Sequence, residues 1–327
     1  MLEKVQFAGR TVLRFLSYME KAEEDLKMTA MKIGYIGLGL MRKAMARNLL
    51  KAGFPVIVHN RSREAVRELV REGAEEAFSP AEVARRVDIV FTNVPNSDTV
   101  EQVVFGEDGI LAGARPGLIF IDNSTIKPGT ARKVAAELAK VGVMALDAPV
   151  SGGQLGAING TLTVMVGGDP DALETALPAL NAFAKKVTYI GGSGCGQIAK
   201  CANQIMVAAQ MVAMGELLLF AKKAGADPEK VTQAICAGAA QCWTLDTKPE
   251  RIFSGELAPG FKSEMMSKDL TIVVETAREY GIPIPSAALD AQLYESMIQC
   301  GDGALDNSAV FRVIEKLAGI RLLEENK

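Results

Sequence analysis

The chain is short of the residue that many proton-transfer and metal enzymes use: its 327 residues include one histidine, His59. A single imidazole excludes multi-histidine metal sites, and it excludes Ser-His or Cys-His machinery unless His59 itself carries it. Five cysteines (195, 201, 236, 242 and 300) are odd in number and form no Cys-x-x-Cys pair, so a disulfide framework is not expected. The expectation is no metal and a reducing, cytoplasmic setting. The net charge of -3 provides no basic field, so neither nucleic acid nor an anionic membrane surface is an expected partner. No uninterrupted apolar run reaches the ~20 residues of a membrane span. What is present is ordinary for a globular chain with two cores: 49% hydrophobic and 23% charged residues.

Residues 1–30 carry Arg10 and Arg14 and then Glu20, Glu23, Glu24 and Asp25, and they read as an added helical extension or as an upstream start ahead of Met28 or Met31. That acidic half argues against a transit peptide. From Met31 short β-type runs alternate with helical stretches. Strands are expected at 32–36, 55–59, 88–93, 118–122, 143–147, 161–166 and 187–190, with helices such as 41–52, 63–72 and 128–141 between them. Continuous apolar strands separated by helices predict an α/β domain with a doubly wound, mostly parallel sheet over 31–193. After the Gly191-Gly192-Ser193-Gly194 turn the strands stop. Residues 194–320 read as an all-α domain with a long central helix from about 195 to 225, followed by a tail at 321–327.

The long helix poses the sharpest chemical question. Its segment from Ile205 to Phe220 has only Gln210 and Glu216 as strongly polar interruptions, which predicts burial nearly all round. Gln197, Lys200, Asn203 and Gln204 fall within roughly one third of the circumference. A buried amine is costly unless paired or neutral, and burial lowers its pKa toward the range useful for proton transfer. Two readings of Lys200 therefore stand: an acid/base in a dry site, or a lysine snorkelling from the first turn into solvent.

At the other end, the first strand runs into Gly37-Leu38-Gly39-Leu40-Met41-Arg42 and a helix, the setting in which a dinucleotide fingerprint has meaning. Gly37 permits the tight turn, and Gly39 lets a pyrophosphate approach the backbone at a helix N-terminus. The third glycine is replaced by Arg42. About 20 residues further on, where an acid would read the ribose of NAD, stand Asn60, Arg61 and Ser62. Donors and a positive charge suit a 2′-phosphate, so NADP is expected over NAD, with a solvated turn arginine as the alternative for Arg61. His59 belongs to this ribose end and is not the obvious proton donor.

Several separated motifs resemble those of the β-hydroxyacid dehydrogenases: Gly37-Leu-Gly-Leu-Met41 with Met45-Ala-Arg-Asn-Leu49, Asn93-Val-Pro95, Asp122-Asn-Ser-Thr125, Asp147-Ala-Pro-Val-Ser-Gly-Gly153, Gly196-Gln-Ile-Ala-Lys200 with Asn203, and Lys268-Asp-Leu270. They run in family order over residues 31–319. The resemblance implies a Rossmann domain, Lys200 as catalytic acid/base, and Asn203 positioning the carboxylate or hydroxyl of the substrate. It implies that Ser151, Gly152 and Gly153 receive the substrate carboxylate, in keeping with the anion-binding capacity of a Gly-rich turn, although a plain tight turn has the same sequence. Val94, Pro95 and Thr125 match positions lining the nicotinamide ribose, and Lys268 matches a lysine that closes over the cofactor. Two departures stand out. Arg42 replaces a glycine, at a packing cost of ~1 to 3 kcal/mol unless its side chain turns outward to a phosphate; Gln204 replaces a common asparagine, a change expected to matter little.

The expected activity is hydride transfer between a nicotinamide and a small β-hydroxy acid or semialdehyde, of the tartronate semialdehyde, succinic semialdehyde/glyoxylate or 3-hydroxyisobutyrate class. Selectivity would lie in the helical half, with Trp243, Phe261 and Lys268 as candidates, Trp243 being equally readable as a core aromatic. The greasy long helix leads us to expect a homodimer or homotetramer. The alternative function is a non-catalytic nucleotide-binding scaffold of the same fold, motivated by Arg42.

Overall fold

The structure, a computed structural model, describes residues 31–323. The expected extension at 1–30 and the end of the tail lie outside the described residues. Nine strands form one sheet among them: β1 (Ile33–Ile36), β2 (Val56–His59), β3 (Glu75–Glu76), β4 (Ile89–Thr92), β5 (Ile119–Asp122), β6 (Met144–Asp147), β7 (Val150–Ser151), β8 (Leu162–Gly168) and β9 (Ala184–Gly191). The order is β3-β2-β1-β4-β5-β6-β8-β7, with β9 paired to β8. Pairing is parallel from β3 through to β6 and between β8 and β9, and antiparallel where β8 meets β6 and β7. β1, β4 and β5 are buried along their whole length, as strands covered by helices on both faces must be. Between β2 and β4 the winding reverses at β1, the switch point where open α/β sheets bind ligands.

The helices of this half are α1 (Leu40–Lys51), α2 (Arg63–Arg71), α3 (Pro80–Arg86), α4 (Ser97–Phe105), α5 (Ile110–Gly113), α6 (Pro128–Ala139), α7 (Gly153–Asn159) and α8 (Pro170–Asn181). Side-chain caps from Ser79, Asn96 and Asp169 start α3, α4 and α8. Two strands escape the hydrophobic pattern. The β3 pair, Glu75 and Glu76, is acidic and sits at the sheet edge, where Arg86 and Arg63 pair with the two carboxylates. β7 is only two residues long, too short for any periodicity to register.

The second half contains α9 (Cys195–Lys223), α10 (Pro228–Ile235), α11 (Trp243–Thr247), α12 (Pro249–Phe253), α13 (Ser263–Glu279), α14 (Pro285–Gln299), a 3-10 turn (Asn307–Val310) and α15 (Phe311–Ala318). Ala208, Met211, Met214 and Leu218 of α9 pack with Met266, Leu270, Tyr294, Met297 and Phe311 in one core. By length and apolarity α9 passes for a membrane-crossing helix, with mean hydropathy 1.6, yet half of that apolar window is buried inside the protein. A core helix of a helical bundle meets the same criteria.

The chain divides into two compact units. The first holds the described residues up to Ser124, then Gly129–Gly152 and Gly156–Gly196; the second holds Thr125–Pro128, Gly153–Leu155 and the described residues from Gln197 onward. A single cut at residue 193 therefore misplaces two short stretches, because a linear reading of composition has no means of showing that they pack with residues far downstream.

Candidate functional site

In the first unit β1 delivers the chain into Gly37, whose φ of +96° favours glycine. A Cβ there would overlap the Asn93 carbonyl oxygen and press on Val94. Gly39 is the N-cap of α1 and makes no side-chain cap, and the first turn of that helix carries no acid. Its leading N–H groups are thus left for an outside acceptor, as a dinucleotide pyrophosphate requires. This glycine cradle fits a nicotinamide dinucleotide. Leu38 is buried and donates its N–H to Asn60 Oδ1 at 3.0 Å; Leu40 opens α1, and the Met41 side chain packs against the core.

The Asn60 amide is bonded at both ends, since one Nδ2 hydrogen donates to the Ser62 carbonyl at 2.9 Å, and its second N–H remains. The Asn60 side chain also ties the end of β2 to the glycine turn, 22 residues away in sequence. Arg61 and Ser62 remain exposed, and Ser62 caps α2 without a side-chain bond. His59 Nδ1 lies 3.1 Å from the Ala77 carbonyl oxygen, and burial lowers its pKa.

Arg42 neither displaces α1 nor reaches freely into solvent. Met45 and Leu49 on the same helix remain fully buried, and the Arg42 side chain folds back over Gly39, at 3.4 to 3.6 Å from where a Cβ would stand. Burial lowers its pKa, opposed by Tyr35 and Asp122. At the C-terminal ends of β4 and β5 lies a polar set that sequence reading assigned no role. Thr92 Oγ1 donates to Asp122 Oδ1 at 2.8 Å, Ser124 Oγ accepts from the Val94 N–H at 2.8 Å, and Asn123 Nδ2 donates to the Ala148 carbonyl at 2.7 Å. Val94 is held in place by that serine, whereas Pro95 next to it is exposed.

Ser151 ends β7, and Gly152 and Gly153 follow with φ of +131° and +65°. Gly152 is the N-cap of α7 and makes no side-chain cap. Two successive positive-φ residues are a conformation open to glycine and closed to most side chains.

In the second unit Lys200 is buried, with 6% of its surface exposed, and the solvated, snorkelling alternative is excluded. Burial pushes the amine down to about 8; the Asp269 carboxylate opposes the drop, and Lys268 adds to it. Lys268 donates to the Thr125 carbonyl at 2.7 Å and pairs with Asp269 Oδ1 at 2.8 Å. Asn203 is half-buried and bonded to Gln204. Gln197 is fully buried and accepts from the Ile126 N–H at 3.1 Å. The fold thus gathers Thr125, Lys200, Asn203 and Lys268 in one unit and Gly37, Leu38, Asn60 and Val94 in the other. Asp269, 2% exposed, is the residue that sequence reading missed. The sequence shows it only as the middle of the Lys268-Asp-Leu270 motif, with no role attached, and its place on the buried face of α13 reveals it. Trp243 is not a core aromatic; 55% of it is exposed, with Lys248 Nζ 5.6 Å from its ring.

Residues 32–191 match the family model of the NAD-binding domain of 6-phosphogluconate dehydrogenase, and residues 194–314 match that of the NAD-binding domain of NADP-dependent 3-hydroxyisobutyrate dehydrogenase. The chain is 39% identical to 2-hydroxy-3-oxopropionate reductase of Escherichia coli over 292 residues, covering 89% of this chain and 100% of that protein. Among solved structures it is similar to 3-hydroxyisobutyrate dehydrogenase of Mycobacterium tuberculosis with L-serine, at TM-score 0.81 and 32% identity, covering 87% of this chain and 99% of that one. A similar likeness holds for Psf3 in complex with NADP+ and 2-OPP, at TM-score 0.79 and 29% identity, over 86% and 99% of the two chains. Glycine cradle, parallel sheet, helical second half and these matches agree, and the chain belongs to the β-hydroxyacid dehydrogenases, NAD(P)-dependent oxidoreductases acting on CH–OH groups.

Proposed function

We propose that this protein is an NADP-preferring reductase of small carboxylate-bearing aldehydes, of the tartronate semialdehyde, succinic semialdehyde/glyoxylate or 3-hydroxyisobutyrate class, with Lys200 as general acid/base. The observation that carries the reading is the buried amine, brought down to about 8 by its dry surroundings. When bound, the nicotinamide supplies the hydride in reduction and takes it up in oxidation. Lys200, protonated, donates to the carbonyl oxygen and yields its proton as alkoxide charge develops; in the reverse direction the neutral amine removes the proton from the hydroxyl. N–H groups at Ser151, Gly152 and Gly153 receive the carboxylate and so fix the face offered to the hydride. Asn203 orients the reacting end.

Preference for NADP rests on Arg61, whose planar guanidinium matches a phosphate, and on the lack of an acid at the end of β2. Exposed Ile198, Met206 and Phe220 on α9 favour a homodimer or homotetramer, and the unpaired cysteines suit a cytoplasmic setting. The test is a panel of glyoxylate, succinic semialdehyde, tartronate semialdehyde and 3-hydroxyisobutyrate assayed with both nicotinamides. Turnover with NADPH should exceed that with NADH, and Arg61→Ala should weaken NADPH binding about tenfold while leaving NADH unchanged. Equal loss for both cofactors would remove Arg61 from the 2′-phosphate.

The two directions should also respond oppositely to pH. Oxidation needs the free amine, so its kcat/KM rises to a plateau above about pH 8; reduction needs the ammonium, so its kcat/KM falls through the same range. Profiles that move together would disprove the acid/base role.

Arg42 supports a second reading, a nucleotide-binding scaffold without turnover. Purified protein that binds NADPH or NADH yet turns over no member of the panel would select it, whereas activity restored by Arg42→Gly would show a site intact apart from one packing fault.

A further inference from the structure

Three polar contacts run in a chain through Asp269 of α13, and one of them crosses to the polar patch of α9. Asp269 Oδ1 takes Lys268 Nζ at 2.8 Å and its Oδ2 takes Gln204 Nε2 at 2.6 Å; Gln204 Oε1 in turn takes Asn203 Nδ2 at 2.7 Å. Asp269 and Gln204 are 2% and 3% exposed, so water does not compete for these contacts. The two ends of an amide look alike, and their assignment depends on their partners. Here the partner settles it. An ionised carboxylate only accepts, so Gln204 must turn its nitrogen to Asp269 and its oxygen to Asn203; Asn203 must then turn its nitrogen to Gln204, leaving Oδ1 as the end not held by the chain.

We propose that Asp269 is a positioning residue which, acting through Gln204, fixes the amide of Asn203 so that its carbonyl oxygen faces the hydroxyl of the substrate. This rests on the function proposed above. It also reverses the expectation that Gln204 is a neutral replacement for asparagine. The side chain must bond Asp269 on α13 with one end of its amide and Asn203 on its own helix with the other, and an asparagine at 204, one methylene shorter, would fall short of the carboxylate. Reversal of the Asn203 amide would leave two acceptors, its own Oδ1 and Gln204 Oε1, facing each other across the Asn203–Gln204 contact, and the charge on Asp269 prevents Gln204 from reversing with it.

The test is a double-mutant cycle on the full chain in the oxidation direction, with NADP+ and whichever of glycolate, 4-hydroxybutyrate, glycerate and 3-hydroxyisobutyrate turns over fastest. Gln204→Asn and Gln204→Met, the latter matched in length but unable to bond, should each lower kcat/KM about tenfold while NADPH binding by fluorescence titration stays within about twofold, because the Lys268–Asp269 pair is untouched. Combined with Asn203→Ala, neither should add a further loss, since the relay acts only through that amide. Asp269→Asn should in addition move the pH limb of oxidation to lower pH, because the carboxylate that favours the ammonium of Lys200 is gone. Wild-type kcat/KM in both Gln204 variants, or additive losses in the cycle, would overturn the relay. Lys200→Ala, measured alongside, separates the two claims: if it stays active the proposed function fails, and if it is inactive while the cycle is additive, only the relay fails.

Discussion

Lys200→Ala should lower kcat by ~10²- to 10⁴-fold while leaving the NADPH Kd within about twofold. The residue lies in the second unit, and the glycine cradle that fits the dinucleotide lies in the first, so loss of turnover and loss of binding are expected to separate. Deleting the amine should also show in stability, with a sign opposite to that of an ordinary core truncation. The folded-state pKa of Lys200 is near 8 and the usual value is 10.5, so between these limits the unfolded chain binds a proton that the folded protein does not. Wild-type stability therefore rises with pH across that window, and below it the folded protein carries the cost of a desolvated ammonium. Lys200→Met, which keeps the volume and removes the charge, should melt higher than wild type at pH 7, with its advantage shrinking as the pH is raised toward 10.5. A melting difference that ignores pH would show that the amine is solvated in the folded state.

Gly37→Ala should abolish detectable NADPH binding, the second large effect. Its φ of +96° disfavours any L side chain, and an added methyl would overlap the Asn93 carbonyl oxygen at the end of β4. The chain at that point would move away from the sheet and take Leu38 with it, breaking the 3.0 Å bond from its N–H to Asn60. Gly53→Ala supplies the control. Gly53 has a φ of +90° but nothing within 4 Å of a Cβ, so it carries the conformational cost alone, roughly 1 to 2 kcal/mol. Urea melts should show both variants destabilised, and fluorescence titration should show binding lost only in Gly37→Ala. Binding retained there at wild-type strength would remove the turn from the cofactor site.

The contrast between these two glycines shows where sequence reading succeeds and where it stops. Strands such as Ile33–Ile36 and Ile119–Asp122 announce themselves because apolar runs bounded by turns have few other places to go in a folded chain. Gly37 was legible because a strand and a helix flank it. Glu75 and Glu76 were not, since a two-residue edge strand held by arginine partners leaves no hydrophobic trace. Lys200 stood out as a charge on a greasy helix. Asp269 follows another charged residue on an amphipathic helix, and its importance depends on Gln204, 65 residues away, a relation that no local pattern encodes. Asn60 differs again: the sequence places it correctly at the end of β2, but only the structure shows that its amide ties that strand to the glycine turn.

The four residues Thr125–Pro128 belong to the second unit although Thr125 lies 72 residues upstream of Gln197 by chain position. Ile126 bonds to Gln197, the Thr125 carbonyl takes Lys268, and Lys127 pairs with Glu275 at 2.8 Å. A gene fragment starting at residue 197 would encode helices with those partners deleted, so recombination between relatives at that point would splice a foreign 125–128 against native helices. Chimeras should keep both pieces from the same parent if they are to express as soluble protein.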